Sequence, residues 1–542
     1  MKNIKIVFVL LIVFGVVGCS DFLEEVPKSF AAPENLYVDE SGAIQGVTGA
    51  YAALQRPGVY NEIGYFLVTD VTRQAVWNVW GGTGTFVYTS ENAEIILPLW
   101  RDHFLGVNEA NAAISNIPAV DMDQDLKNRL LAEAKFIKSL LYFNLVRYFG
   151  DVPYRENEVS SLNDLEVPRD PASYIYERII EDLEFGVEHL GVKGEVETGR
   201  ATVDAAKTLL AKIYLTRGSM AKRDGTGDGK ADFQKAMDYA KEVIDGGRYS
   251  LVEYYPDVFA NDNKNNSEII FDVQYMSGVG ETSRIGMNMG INGQGDQLVN
   301  GSSWGNITAT DYYSSMFDPT DIVRREWNTP WITVDGPNSL IEWENMGAGP
   351  QEGAQRRIGK FRRFPVRSAS YNFFDHDTNW PVFRYAEVLL IYAEAINEVN
   401  DGPNSEVEWA LNELRRRART VNGDGTKYYL HYDVKPRDLS YDDNILPDIA
   451  FSTFDYAQAK KYIEDERARE LGGEAKRWFD LVRWGKLVEN VKFLLDYIPD
   501  GRSEPERAWS LQASNVDEHH MLLPIPNQEF QENTLMTQNP GY

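Results

Sequence analysis

The sequence of 542 residues contains one cysteine, so no disulfide can form within the chain and its stability has to come from a packed core. Histidine is nearly as scarce. The six are His103, His189, His376, His431, His519 and His520, and no HExxH pair occurs among them, which removes the common zinc-hydrolase pattern. The adjacent His519 and His520 read as a surface pair rather than as ligands. A phosphate-cradling loop is also missing: "GVGETSRIGMNMG" supplies glycines without the Gly-Lys-Ser core or a strand–turn–helix setting. No nucleophile elbow or triad is evident. Positive charge is in deficit, with 54 Lys and Arg against 82 Asp and Glu and a formal net charge of −28, so a nucleic acid would be repelled. The N-terminal apolar run, Ile6 to Val17, has 12 residues. A membrane span needs roughly 20.

That run is nonetheless informative. Lys2 and Lys5 precede it, and Val16, Val17, Gly18 and Cys19 follow, which gives a secretory signal its charged start and apolar middle. The "VVGC" end resembles a bacterial lipobox, whose cleavage leaves the cysteine as the first residue, carrying lipid. Each acyl chain gains about 0.8 kcal/mol per buried methylene, and stable anchoring takes more than one chain. Lipidation at Cys19 would therefore explain the lone cysteine. Asp21, Glu24 and Glu25 form an acidic tether behind it. Residues 1–18 are read as the signal peptide and 19–542 as the mature chain. Its 43% hydrophobic content supports a large core and is not a disordered composition.

Most of the chain has helical periodicity. In "LAEAKFIKSLLYFNLVRYFG" (131–150), Phe136, Leu140, Phe143, Val146 and Phe149 recur at three- and four-residue steps until Gly150 stops them. "RATVDAAKTLLAKIYLTRG" (200–218) places Ala201, Ala205, Ala206 and Ala211 where neighbouring helices can approach. "FRYAEVLLIYAEAINEVN" (383–400) is a third helix, and 456–487 carries two, split at Gly472 and Gly473. Further helices are predicted over 40–55, 94–117, 172–190, 231–246 and 404–420. Paired helices with Ala, Leu and Tyr at the contacts fit tetratricopeptide-like hairpin repeats, although no strict 34-residue period survives. The scaffold is assigned mainly to 38–55, 94–247 and 383–490. Long irregular segments, mainly 56–93, 248–382 and 421–455, separate its parts, with "SEIIFDVQY" (267–275) the clearest strand. Loops of that length in a compact protein are usually functional, and their aromatic content argues against disorder.

Six segments in order resemble the SusD/RagB family of surface lipoproteins: "GCSDFLEEVP" (18–27), "AEAKFIKSLLYFNLVRYFGDVPY" (132–154), "RATVDAAKTLLAKIYL" (200–215) with "SEIIFDVQY" after it, "NWPVFRYAEVLLIYAEAINE" (379–398), "IEDERARELGGEAKRWFDLVRWGKL" (463–487) and "LLPIPNQEFQENTLMTQNPGY" (522–542). The resemblance implies a mainly α fold, a single SusD-like domain built as a right-handed superhelix of tetratricopeptide-like hairpins. Irregular segments and a few short strands would form its ligand face. It also implies a role: non-catalytic capture of an oligosaccharide or polysaccharide at the cell surface, tethered to the outer membrane by lipid, and delivery to a SusC-like TonB-dependent transporter. The alternatives are peptide capture of the RagB kind with the same lid role, a protein-binding helical-repeat scaffold, and a surface glycosidase.

Sugars are gripped by flat rings under their C–H faces and by amide or charged groups around their hydroxyls, a task suited to side chains with an apolar body and a polar tip. "TRQAVWNVWGG" (72–82) offers Arg73, Trp77, Asn78 and Trp80 in a glycine-flanked, non-helical stretch. "GSSWGNIT" (301–308) offers Trp304 and Asn306, and "EWNTPWI" (326–332) offers Trp327 and Trp331. Loop aromatics are likelier to bind than aromatics at helical spacing. The competing reading is that these tryptophans pin loops to the scaffold. In similar family members, ligand-contacting aromatics lie before the first helical hairpin and in the long middle insertion.

Three other patterns were weighed. Glu466 and Glu470 share a helix face, as paired carboxylates of a glycosidase must share a cleft. Arg467, Arg469, Arg477 and Arg483 interleave with them, which favours a salt-bridged helix surface and ionised carboxylates. "DGTGDGKAD" (224–232) imitates a calcium loop through Asp224, Thr226, Asp228 and Asp232, but Lys235 stands where a bidentate Glu is needed. No cofactor is expected, calcium being the one candidate. The basic run "RRIGKFRRFPVR" (356–367) is read as support for the scaffold or a partner interface.

Overall fold

The computed structural model describes residues 33–62, 67–74, 84–92, 94–159, 161, 165–278, 282–290, 305–330, 332–334, 340–342, 356–361, 377–422, 438–498 and 513–542. Among them are ten helices of eight residues or more: α1 (Glu40–Ala53), α2 (Ile96–Asn116), α3 (Gln124–Phe149), α4 (Ala172–His189), α5 (Val203–Arg223), α6 (Lys230–Asp245), α7 (Tyr385–Asn400), α8 (Ser405–Arg417), α9 (Tyr456–Leu471) and α10 (Arg477–Trp484). Their starts follow from local chemistry. Asp39, Asp123, Thr202 and Asn404 each accept a backbone N–H of the first turn, and Asp455 with Gln458 forms a reciprocal capping box. Gly150 at φ +72° and Gly485 at φ +69° end α3 and α10.

Consecutive helices from α1 to α6 pack side by side; α7 then lies on α6, α8 and α9, and α10 returns to α5. Short turns at 117–123, 224–229, 401–404 and 472–476 make hairpins of α2/α3, α5/α6, α7/α8 and α9/α10. In α7 every residue from Ala386 to Glu398 is buried, the mark of a helix enclosed on all sides. Each buried Leu or Ile there contributes about 1.5–3 kcal/mol relative to exposure. The predicted small residues Ala201, Ala205, Ala206 and Ala211 are 0–1% exposed. Gly106 allows a close approach of three helices: a Cβ there would lie 2.8 Å from a Leu141 methyl and 3.0 Å from the Cβ of Ala53, so α2 presses against α1 and α3 at once.

The irregular block shares this core. One hydrophobic cluster runs from Ala50 to Met536 and includes Phe271, Ile307, Tyr313, Trp327 and Trp380; a smaller one joins Ala43, Val47, Ala113 and Leu130 at the outer end of α1–α3. Among the described residues, eight short strands pair as four antiparallel ribbons: β1 (Thr72–Gln74) with β3 (Ile307–Ala309), β2 (Ile269–Val273) with β6 (Trp380–Arg384), β4 (Ile332–Val334) with β5 (Leu340–Glu342), and β7 (Thr420–Asn422) with β8 (Leu439–Tyr441). The third predicted helix thus begins at Tyr385 rather than 383. Pro381 lacks the N–H a helix interior needs, and Trp380–Arg384 pairs with β2 instead. No helix among the described residues is long and apolar enough to cross a membrane.

Candidate functional site

The β1–β3 ribbon carries Arg73 in its first strand and has Asn306 directly before its second, the two sequence-predicted site residues that are described. Thr69 opens it, its hydroxyl accepting the N–H groups of Val71 and Thr72 at 3.2 and 3.3 Å. Asp70 is clamped by Arg477 of α10 through Nε at 2.9 Å and Nη2 at 2.7 Å, and by Asn490 at 2.9 Å. Burial alone would raise the Asp70 carboxyl; the Arg477 guanidinium outweighs it and holds the group below the usual range. Thr310 ties the second strand down, donating its N–H to Val71 O at 3.1 Å and its hydroxyl to Asp70 O at 2.6 Å. Gln74 stands opposite Ile307. The chain therefore enters 75–83 and leaves 291–304 at the same end of the ribbon.

A third segment is laced alongside. Thr308 bridges to Arg357, Ala309 donates to Arg356 O at 3.1 Å, and Arg357 donates to Pro330 O at 3.1 Å. Arg356 donates to Thr329 O at 3.0 Å and to Asp311 at 3.2 Å. Burial pushes both Arg356 and Arg357 down to about 10, with Arg73 adding repulsion at Arg357. The approach to Trp331 is thus set one strand from β3.

Two of the predicted contact residues are described, and both are sealed in this frame. Arg73 is 2% exposed within β1. Asn306, also 2% exposed, donates to Asn288 Oδ1 at 2.8 Å; Asn288 donates on to Glu62, which pairs with Arg284 at 2.6 Å. They brace the roots of the loops rather than face solvent. Trp327, expected on an open loop, is 3% exposed inside the short helix Ile322–Asn328. Trp77, Asn78, Trp80, Trp304 and Trp331 lie outside the described residues, as does Cys19. The bracing residues Glu62, Arg284 and Asn288 escaped sequence reading, because nothing in "YNEIG" (60–64) or "SRIGMNMG" (283–290) marks a polar ladder.

The glycosidase pattern resolves differently from its sequence appearance. Glu466 and Glu470 are 1% and 0% exposed, so they lie in the interior and not on a helix surface. Arg384 Nη1 donates to Glu470 at 2.7 Å and to Glu268 at 2.7 Å, while its Nε and Nη2 hold Glu474 at 2.9 and 2.8 Å. Arg324 donates to Glu466 at 2.6 Å and to Glu470 at 3.1 Å, and Arg417 also reaches Glu470. Burial would raise these carboxyls, but Arg324 and Arg469 hold Glu466 at about 2, and Arg417, Arg384 and Arg324 hold Glu470 well below the carboxylate range. Acids so firmly ionised and so fully hydrogen-bonded cannot donate a proton to a leaving group. Lys360 of the basic run is 0% exposed and pairs with Glu474 at 2.7 Å, which fits support of the scaffold.

The calcium-like residues are engaged separately: Asp224 with Arg223, Thr226 with Ala221 O at 3.3 Å, Asp228 with Lys230 N at 3.0 Å, and Asp232 with Arg217 at 3.2 Å. Among the described residues no group of three or more His, Cys, Asp or Glu side chains is arranged to hold a metal ion. His520 is not at the surface either. It is 2% exposed, edge-on to Phe86 and Tyr88 with centroids at 5.2 Å, and burial pushes it down to about 4.

A separate hollow of about 1020 Å³, including its opening to solvent, lies between α2, the residues Pro153, Arg155, Val159 and Leu165, and the C-terminal helix Asn527–Glu532. Trp100, Phe104 and Leu105 form its apolar wall, with Arg155, Glu529 and Glu532 on the rim. Burial, with Glu532 nearby, pushes the Glu529 carboxyl up to about 7, while the Trp100 indole donates to it. An acid raised in the folded state stabilises below its unfolded value and loses that contribution as pH rises through the folded value. The protein is therefore expected to lose about 1–2 kcal/mol between pH 5 and 8 that Glu529→Gln does not lose. Urea unfolding of both at the two pH values measures it, and parallel behaviour would count against the buried acid.

A model described as "SusD family" matches residues 354–542, and one described as "Starch-binding associating with outer membrane" matches 21–215. SusD-like protein P2 of Formosa agariphila is 29% identical over the full length of both chains. Starch-binding protein SusD of Bacteroides thetaiotaomicron is 24% identical over 76% of this chain and 73% of its own. A solved SusD homolog from Bacteroides thetaiotaomicron superposes with a TM-score of 0.79 at 22% identity, covering 94% of this chain and 98% of that one. A structure described as a laminarin binding SusD-like protein gives 0.69 at 23% identity, covering 93% and 100%. A SusD family model at one end, a separate SusD-like model at the other and the SusD fold over 94% of the chain together place it with the SusD/RagB proteins.

Proposed function

We propose that this protein is a non-catalytic glycan-binding lipoprotein of the outer-membrane surface, anchored through Cys19, which holds an oligosaccharide or polysaccharide and hands it to a SusC-like TonB-dependent transporter. The observation that carries the reading is the common frame. Gln74, which precedes the stretch bearing Trp77, Asn78 and Trp80, and Gly305, which follows Trp304, lie at one end of a ribbon bolted to α10, and Pro330, which precedes Trp331, is tied to it through Arg357; this supports a shared site. Rigid roots reduce the ordering cost of gripping a flexible chain. The starch-binding relative, the laminarin-binding neighbour and the matching model's description support glycan as cargo and the outer membrane as the place. The saturated Glu466 and Glu470 favour binding without cleavage.

Calorimetry of the full chain against starch- and laminarin-derived oligosaccharides and a peptide panel tests this. A glycan is expected to bind, and replacing Trp77, Trp80 and Trp304 together by Ala to weaken it at least about tenfold, since stacked aromatics carry much of such affinity. Unchanged affinity would misplace the site, peptide binding alone would make the protein a RagB-like carrier, and shortened glycan products would make it an enzyme.

A further inference from the structure

A pocket of about 530 Å³, including its opening to solvent, lies where α3, α5, β6, the 472–476 turn and the residues around Val59 meet. Its inner space holds no more than a few atoms, so a sugar ring does not fit. The lining is rich in donors and poor in free acceptors. Arg147 donates from Nε to Phe143 O at 3.1 Å and from Nη2 to Asn144 Oδ1. Its Nη1 has no acceptor among the described residues. The guanidinium lies between the rings of Phe143 and Phe479, 3.9 and 3.8 Å from their centroids. Among the described residues no carboxylate comes within 4.0 Å of it.

The neighbouring cations are also short of counter-charge. Lys212 and Lys476 share one carboxylate, Glu387, at 2.7 and 2.6 Å. Glu474, 3.5 Å from Lys476, is already committed to Arg384 and Lys360. Burial first, then Lys476 and Arg147, push Lys212 down to about 7 against the pull of Glu387. The Tyr60 hydroxyl accepts from Asn144 at 2.9 Å, which leaves its own proton to donate. Three cations with one uncommitted carboxylate among them, and donors left over around one small space, call for an anion. Half-buried Tyr60, Arg147, Lys212 and Phe479 edge the opening, so an ion can exchange with solvent.

We propose that this pocket is a binding site for one small monovalent anion of the halide class, held by the free donors of Arg147 and Lys212 and by the hydroxyl of Tyr60. The ion neutralises the excess positive charge where five separate segments meet, and it is unconnected with the cargo ribbon.

Thermal unfolding of the full chain at constant ionic strength, with sodium gluconate replaced stepwise by sodium chloride, gives the first test. A saturable rise in Tm of about 2–4 °C between millimolar and 0.3 M chloride is expected. The rise should vanish in Arg147→Met and persist in Lys241→Met, an exposed control on α6. Should Arg147→Met not fold, wild-type crystals soaked in bromide are expected to show an anomalous peak beside Arg147. A Tm indifferent to chloride, or bromide found only elsewhere, overturns the site.

Discussion

Replacing Arg384 by Met is expected to cost about 3–5 kcal/mol of folding stability, the range for removing one partner of a buried ion pair. The guanidinium is 0% exposed and is the common partner of Glu268, Glu470 and Glu474. It also donates to Glu470 O at 2.6 Å. Its loss leaves three buried carboxylates to Arg324, Lys360 and Arg417, each already in use. Arg384→Lys should recover little, because one ammonium cannot span groups that the planar fork reaches from two edges. Urea unfolding followed by tryptophan fluorescence gives the number; a loss under about 1 kcal/mol for the Met variant would mean the network relaxes around the gap.

Acidification is expected to have a larger effect still. Glu466 and Glu474 are held at about 2, Glu387 and Glu470 lower, by cations that overcome the burial penalty, against an ordinary 4.5. A depressed acid contributes stability above its unfolded value, and that contribution is lost as pH falls through the folded one. The window is therefore from about 4.5 down to about 2. Each carboxylate is worth about 3 kcal/mol on that scale, and shared cations make the sum less than additive. Even so it rivals the whole stability of a typical domain, about 5–15 kcal/mol. The helical circular dichroism signal should collapse near pH 3 in dilute urea. Asp272, which burial holds up at about 6, works in the opposite sense and gives a smaller loss as pH rises from about 4 to about 6. A urea midpoint unchanged from pH 5 to pH 2.5 would refute the ionic core.

The helices were legible because each carries its own signal. The split read at Gly472 and Gly473 is where α9 stops at Leu471; Gly473 turns at φ +80° and Ala475 at φ +53° before α10 begins. The ion network was not legible. Charges four apart on a helix normally mark a solvated face, and the partners of Glu470 are 53, 86 and 146 residues away. The ribbons were hidden for another reason: β1 and β3 have three residues each, too few for alternation to register. For the proposed site, composition picked out the segments, and pairing of β1 with β3 brings the flanks of two of them, Gln74 and Gly305, to one end of a ribbon. It does not reveal that Arg73 and Asn306 would be spent on bracing, since a polar side chain in a loop reads the same whether it faces outward or inward.

The bidentate hold of Arg477 on Asp70 has a bearing on how such proteins diversify. Strands of three residues have little tendency to form alone, so the ribbon inherits its rigidity from α10. The segments that leave its ends can then change in sequence without loss of the hold that fixes the two strands.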